Sequence, residues 1–217
     1  RSTDESACGD AGVAVLVGTD DDGVLLAEAL GTATATEEFV DRWRTPGEPF
    51  SRTWEERFGE TRYVPLATDA AKRACAAAGV ELDAVDVVSV TGLHGRAVAK
   101  ASRALGAGSR LADDLAGTVG ATGTPHAMLT LAAILEDAAP GTTVLQVSLA
   151  DGADAIVWRV TDAVADWRPA RPVRSQVAGG DDGLAYADFL AWRGMLAPEP
   201  PRRPEPTRTS SSAAARS

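Results

Sequence analysis

Residues 125–138 constrain the fold more than any other part of this chain. Met128, Leu129, Leu131, Ala132, Ala133, Ile134 and Leu135 leave almost no polar face on a helix. A helix that is apolar all round needs cover on every side, so it is expected between two sheets rather than outside one. Thr124 is placed to cap it and Pro125 suits its first turn, while Glu136-Asp137 and Pro140-Gly141 end it. The flanking sequence fits an α/β arrangement. Residues 85–90 read as a strand, 91–95 as a turn carrying His94, and 96–105 as a helix. A glycine loop, 117–123, precedes the apolar helix, and strands at 143–149 and 153–160 follow it around Asp151-Gly152. His94 therefore falls just past a strand's carboxyl end, the edge where open α/β sheets bind ligands.

Composition narrows the function classes. The 217 residues, 45% hydrophobic but only 5% aromatic, allow one domain with an Ala-, Val- and Leu-filled core, or half of a larger domain plus a tail. A net charge of -10 and a pI near 4.7 argue against a nucleic-acid surface. No apolar run is long enough for a bilayer span. Two cysteines, Cys8 and Cys75, make no disulfide framework, so a reducing cytoplasm is expected. The start at Arg1, within loop-like sequence, suggests a fragment.

Along the chain, residues 1–11 read as a loop, 12–18 as a strand, 19–23 as an Asp-Gly turn and 24–30 as the return strand. Asp20, Asp21 and Asp22 lack the spacing and closing Glu of a calcium loop, so no metal is expected there. Residues 31–62 hold Phe39, Trp43, Phe50, Trp54 and Phe58 among balanced charges. They read as an insertion packed on the body, shaping a substrate channel or a dimer face. Residues 66–78 form a helix ended by Gly79, with Cys75 as a small residue of its alanine face. Residues 168–182 are loop-like, and 184–196 suggest a short amphipathic docking helix within a docking segment, 166–197. Residues 198–217, rich in Pro, Arg and Ser, read as a disordered linker.

This order of elements resembles the carboxyl-terminal half of a thiolase-fold enzyme. It is most similar to hydroxymethylglutaryl-CoA synthases of archaeal and bacterial type and to the third type of ketoacyl-acyl-carrier-protein synthase. Phe39-Val40-Asp41-Arg42-Trp43-Arg44 and Arg57-Phe58-Gly59-Glu60-Thr61-Arg62-Tyr63 resemble the synthase insertion. His94, the 117–123 loop and Asp151-Gly152-Ala153-Asp154 fall where that family has its catalytic histidine, glycine–asparagine loop and closing strand pair. The resemblance covers residues 10–165 and implies a mixed sheet with helices on both faces and one buried central helix. Residues 12–18 would be the last strand of the amino-terminal half.

Functionally, the resemblance implies Claisen-type carbon–carbon bond formation on acyl-CoA or an acyl-carrier thioester, with no cofactor beyond the coenzyme A thioester as substrate, in a homodimer. His94 would serve as the catalytic residue, and Gly120, Ala121, Thr122 and Gly123 would form the substrate-binding loop. An imidazole N–H beside a thioester oxygen can stabilise developing charge or shuttle a proton; the alternative for His94 is to satisfy turn backbone groups. His126 reads as structural. The N–H groups around Gly120 are candidate oxyanion donors, with plain turn geometry as the alternative. Tyr186 to Gly194 and Pro200 to Pro204 are similar to the segment that, in relatives, leads to a zinc-ribbon and OB-fold acyl-CoA-binding module, fused or separate.

Two departures qualify the pattern. The acylated cysteine belongs to an amino-terminal half that this chain mostly lacks, and Cys8 comes too late to replace it. The loop asparagine is replaced by Ala121, which offers no side-chain donor. That leaves room for a different oxyanion arrangement, a retro-aldolase relative, or a non-catalytic thiolase-like scaffold subunit.

Overall fold

The computed structural model describes residues 4–197 and 199. Contacts divide the chain into two units, Arg1–Ala178 and Gly179–Ser217. The first unit is built on a mixed four-stranded sheet of order β1-β6-β5-β4: β1 (Ala27–Ala35), β4 (Val87–Gly92), β5 (Thr143–Leu149) and β6 (Ala153–Val160). β4 and β5 are parallel, while β6 runs antiparallel to both β5 and β1. β5 is buried along nearly its whole length because both faces are covered. Leu145, Val147 and Leu149 point to one cluster, with Ala153, Ala155 and Val157 of β6. Val144 and Val160 point to the other.

On the first face lie α2 (Glu56–Ala78) and α3 (Gly95–Ala104). α2 offers Ala67, Ala70, Ala71, Ala74 and Cys75, a spacing that puts small groups on one helical face. Such a face lets the helix axis approach the strands closely. Gly31, beside a bulge in β1, completes the fit: a Cβ there would lie 2.5 Å from both Ala74 O and Ala78 N. On the second face lies α4 (His126–Leu135), through Leu131 and Leu135. A polar relay also fixes α4 to the sheet. Gln146 Nε2 donates to Ala127 O at 2.6 Å, and Trp158 Nε1 donates to Gln146 Oε1 at 3.0 Å. At the start of the parallel pair, Asp86 accepts from Thr143 N and Oγ1 at 2.8 and 2.7 Å. These bonds hold its carboxyl below the ordinary carboxylate range.

Several expectations change here. Residues 12–18 form no strand: they are mostly exposed, with Leu16 100% accessible, and pair with no strand among the described residues. The turn after them is a 3-10 turn, Asp20–Asp22, and the strand that follows is β1, paired with β6 rather than in a hairpin. The 31–62 insertion is half regular. It holds the end of β1, a small hairpin of β2 (Arg42–Trp43) and β3 (Arg52–Thr53), and the first two turns of α2, which starts ten residues before position 66. β4 lies two residues later than expected. Thr124 does not cap α4; Pro125 holds the N-cap position with no side-chain bond. α4 is buried or half-buried at every residue, yet one sheet, not two, covers it among the described residues. The stretch 168–182 contains α5 (Val173–Ala178), whose first N–H groups are held by the Glu136 carboxylate.

The second unit contains α6 (Tyr186–Trp192), seven residues long, with Trp192 75% exposed and Tyr186 stacked on Phe189. The linker reading of 198–217 falls outside the described residues apart from Glu199. Among the described residues, no helix is long and apolar enough to cross a membrane.

Gly31→Ala should destabilise the protein by about 1–3 kcal/mol, the usual cost of forcing a methyl into a close-packed contact. Urea unfolding checks this, and an unchanged midpoint would mean that α2 is not seated as described.

Candidate functional site at the carboxyl edge of the sheet

β4 ends at Gly92, and two residues later His94 takes the N-cap position of α3. Its Nδ1 accepts from Ala97 N–H at 3.1 Å. This is the local job of an N-cap side chain, satisfying one of the first N–H groups of a helix. An accepting Nδ1 leaves the proton of the neutral ring on Nε2. The ring is half-buried, with its Cδ2 and Nε2 edge against Gly59 of α2. Tyr63, one turn further along α2, meets the ring edge-on with centroids 6.2 Å apart.

A buried ion cluster locks α2 to α3 beside this contact. Glu60 is only 4% exposed, and its carboxylate faces Arg96 Nε at 2.6 Å and Lys100 Nζ. Arg96 and Lys100 are one helical turn apart on α3, so a single carboxylate grips two successive turns. The hydrogen bond from Lys100, with the charge of Arg96, holds the Glu60 carboxyl below its ordinary value of 4.5. Tyr63 is buried, and its hydroxyl is pushed above the ordinary value of 10 by burial first and by Asp41 second. It stays a neutral donor. Phe39, Phe58, Trp54 and Trp43 continue the aromatic packing from Tyr63 to the β2–β3 hairpin.

The 120–123 loop is built differently from an open set of donors. Gly120 has φ 82, a conformation that favours glycine, and its N–H points to Leu115 O at 3.3 Å. Ala121 N–H donates to Ala7 O at 2.8 Å, and its carbonyl accepts from Gly9 N–H at 3.0 Å. Thr122 N–H points to Nδ1 of the buried His126 at 3.3 Å, so His126 anchors the loop to α4. Gly123, at φ 72, gives its carbonyl to His126 N–H.

A run of contacts leads from His94 to this loop. Tyr63 meets Asp41, and the next residue, Arg42, pairs with Asp4 of α1 (Asp4–Ala7). Cys8 follows α1 and bridges to Ala121. Cys8 is exposed, and its thiol is pushed up by partial burial and by Asp4. Burial and Glu81 push the Cys75 thiol up as well. Neither has the electropositive setting of a reactive thiolate.

Two clefts line the opposite face of the sheet. One, of about 330 Å³, involves Thr34, Met128, Gln146, Ser148 and Asp154; the other, of about 210 Å³, involves Leu115, Ile134, Asp137 and Arg174. Neither is lined by His94 or by residues 120–123. Among the described residues, no group of three or more His, Cys, Asp or Glu is arranged to hold a metal ion.

Sequence reasoning missed Gly59, Glu60 and Tyr63 as a set. Their spacing of one turn became readable as a helix face only once α2 was seen to begin at Glu56. Glu60 carries a testable sign. A carboxyl with a lowered folded pKa adds stability above its unfolded value, and that contribution disappears as pH falls through the folded value. Glu60→Gln should therefore lower stability at pH 7 and flatten its acid decline below about pH 4.5, read by urea unfolding at a series of pH values. A parallel downward offset at all pH values would contradict the ionised clamp.

No family model matches the chain. It is 28% identical over 207 residues to a hydroxymethylglutaryl-CoA synthase of Picrophilus torridus, covering 89% of this chain and 58% of that protein. It is also 28% identical over 175 residues to the Methanothermobacter thermautotrophicus hydroxymethylglutaryl-CoA synthase, covering 79% and 51%. The chain thus spans about half the length of the curated relatives it matches. Among solved structures, it overlays 3-oxoacyl-(acyl carrier protein) synthase III of Pseudomonas aeruginosa with TM-score 0.53 at 15% identity, covering 61% of this chain and 44% of that one. An MvaS structure in complex with 3-hydroxy-3-methylglutaryl coenzyme A gives TM-score 0.53 at 15% identity, covering 77% and 50%. The mixed sheet flanked by α2, α3 and α4 is a thiolase-like α/β fold, in a chain whose sequence is similar to hydroxymethylglutaryl-CoA synthases.

Proposed function

We propose that this chain is the carboxyl-terminal portion of an acyl-CoA condensing acyltransferase of hydroxymethylglutaryl-CoA synthase type. The observation that carries the reading is the His94 imidazole at the carboxyl edge of β4, with Nδ1 engaged by Ala97 N–H and the neutral ring's proton on Nε2. In a Claisen-type condensation the α-carbon of one thioester, having lost a proton to a base, attacks a thioester carbonyl carbon of a second substrate. The carbon–carbon bond forms as the C=O π bond opens to place negative charge on oxygen, and that charge re-forms the carbonyl as the thiolate leaves. An Nε2–H beside that oxygen stabilises the charge or delivers a proton to it. Residues 120–123 line the acyl site in this reading, and Cys8 and Cys75 are not its nucleophile. The acylated cysteine comes from outside residues 1–217. The exposed apolar run at 13–17 and the half-exposed flank of α4 support a body that packs against further protein. A cytoplasmic homodimer, and a zinc-ribbon/OB-fold partner held through the exposed Trp192 region of α6, belong to the same proposal.

A second reading, a non-catalytic thiolase-like scaffold subunit, is favoured by one specific observation. The N–H groups of Gly120, Ala121 and Thr122 already point to acceptors within the chain, and Ala121 brings no side-chain donor. Labelled acyl-CoA given to the intact synthase separates the two. The enzyme reading predicts covalent acylation and turnover that falls about 10²–10⁴-fold in His94→Ala, with Cys8→Ser and Cys75→Ser still acylated. Full turnover in His94→Ala removes the assigned role; no acylation in any form establishes the scaffold.

A further inference from the structure

We infer that Gly59 is a positioning residue for His94: the missing side chain there lets α2 abut the Cδ2–Nε2 edge of the imidazole and fixes which ring nitrogen caps α3. A Cβ at position 59 would lie 2.4 Å from Cδ2 and 2.5 Å from Nε2, well inside van der Waals contact. All three nearest atoms that it would meet belong to the His94 side chain. The ring, rather than either helix backbone, is therefore what an added methyl displaces. Turning the ring takes Nδ1 away from Ala97 N–H, now 3.1 Å distant.

Gly59 has no conformational reason to be glycine. It lies in the first turn or so of α2, and its φ is not in the left-handed region. Glycine is among the poorest residues for a helix interior, so the room it leaves for the ring is the account of its presence. Two neighbours on α2 maintain the approach. Glu60 ties α2 to Arg96 and Lys100 just past His94, and Tyr63 meets the ring edge-on. The result is one imidazole set in orientation by Gly59 and Tyr63 of α2, with its tautomer set by the Ala97 N–H of α3. The consequence for catalysis rests on the reading of His94 as the group acting on the thioester. The geometric coupling does not, and the test reads only the coupling.

Nitrogen-15 spectra of the His94 ring in the full chain, assigned by their loss in His94→Ala, report the tautomer. The wild-type ring at alkaline pH should show an unprotonated Nδ1 and a protonated Nε2. Gly59→Ala should move both nitrogens toward the averaged positions of a freely exchanging imidazole. Urea unfolding of the four proteins in the Gly59/His94 cycle gives an independent sign. Gly59→Ala should lower the midpoint when His94 is present and raise it in the His94→Ala background, where only helix propensity remains. If Gly59→Ala does not fold, recovery of folding in Gly59→Ala/His94→Ala supports the inference and failure to recover overturns it. Unchanged His94 nitrogen shifts, or the same midpoint change in both backgrounds, also overturns it. Turnover enters none of these readouts, so failure of the enzyme reading and failure of the coupling are separate results.

Discussion

The close seating of α2 on the sheet is the constraint on which the rest of the structure depends. Large side chains on the inner face of α2 would hold the helix off the strands. Ala67, Ala70, Ala71 and Ala74 are fully buried and small, and Gly31 of β1 removes the last obstruction under the helix. Close packing makes such a fit discrete rather than adjustable. A helix seated this tightly has a fixed rotation and a fixed slide along its axis. Its first two turns then fall beside the start of α3 with little freedom.

That seating converts packing into site geometry. Gly59, Glu60 and Tyr63 reach α3 because the alanine face below them sets the rotation of α2. Glu60 then adds an electrostatic lock. A carboxylate left unpaired in this position would be costly, whereas one shared by two basic side chains is both neutralised and directional. The aromatic group of Phe39, Trp54 and Phe58 covers the approach from the β2–β3 side. The glycine loop is held from other directions, by His126 beneath it and by the segment around Ala7–Gly9 across it. The two halves of the candidate site thus have separate supports, joined through Tyr63, Asp41, Arg42 and Asp4.

Legibility followed the strength of the local pattern. β5 and β6 were readable to the residue because uniform burial of β5 and alternation in β6 leave a clear apolar record. α3 and α4 were readable because one has a two-sided pattern and the other nearly none. β1 was misplaced because Ala-Glu-Ala-Leu-Gly-Thr-Ala-Thr-Ala is poor strand sequence; its pairing with β6, far off in the chain, overrides that preference. Residues 12–18 show the reverse, good strand sequence with no partner among the described residues. α2 starts ten residues before the expected position and carries Pro65 inside it. His94 was marked by its place past a strand end together with the family resemblance, and the 117–123 loop took its proposed role from that resemblance. What held them was not legible, since the Gly59 contact and the occupied loop N–H groups exist only in three dimensions.

A nuclear Overhauser cross-peak between His94 Hδ2 and the Gly59 Hα protons tests the central claim most directly, because it reports whether the seat of α2 delivers this helix to the imidazole. A strong cross-peak is predicted, with weaker ones from the same Hδ2 to the Tyr63 ring. A Hδ2 proton showing no contact with residues 59–63, while the other histidine signals remain well resolved, would contradict the account.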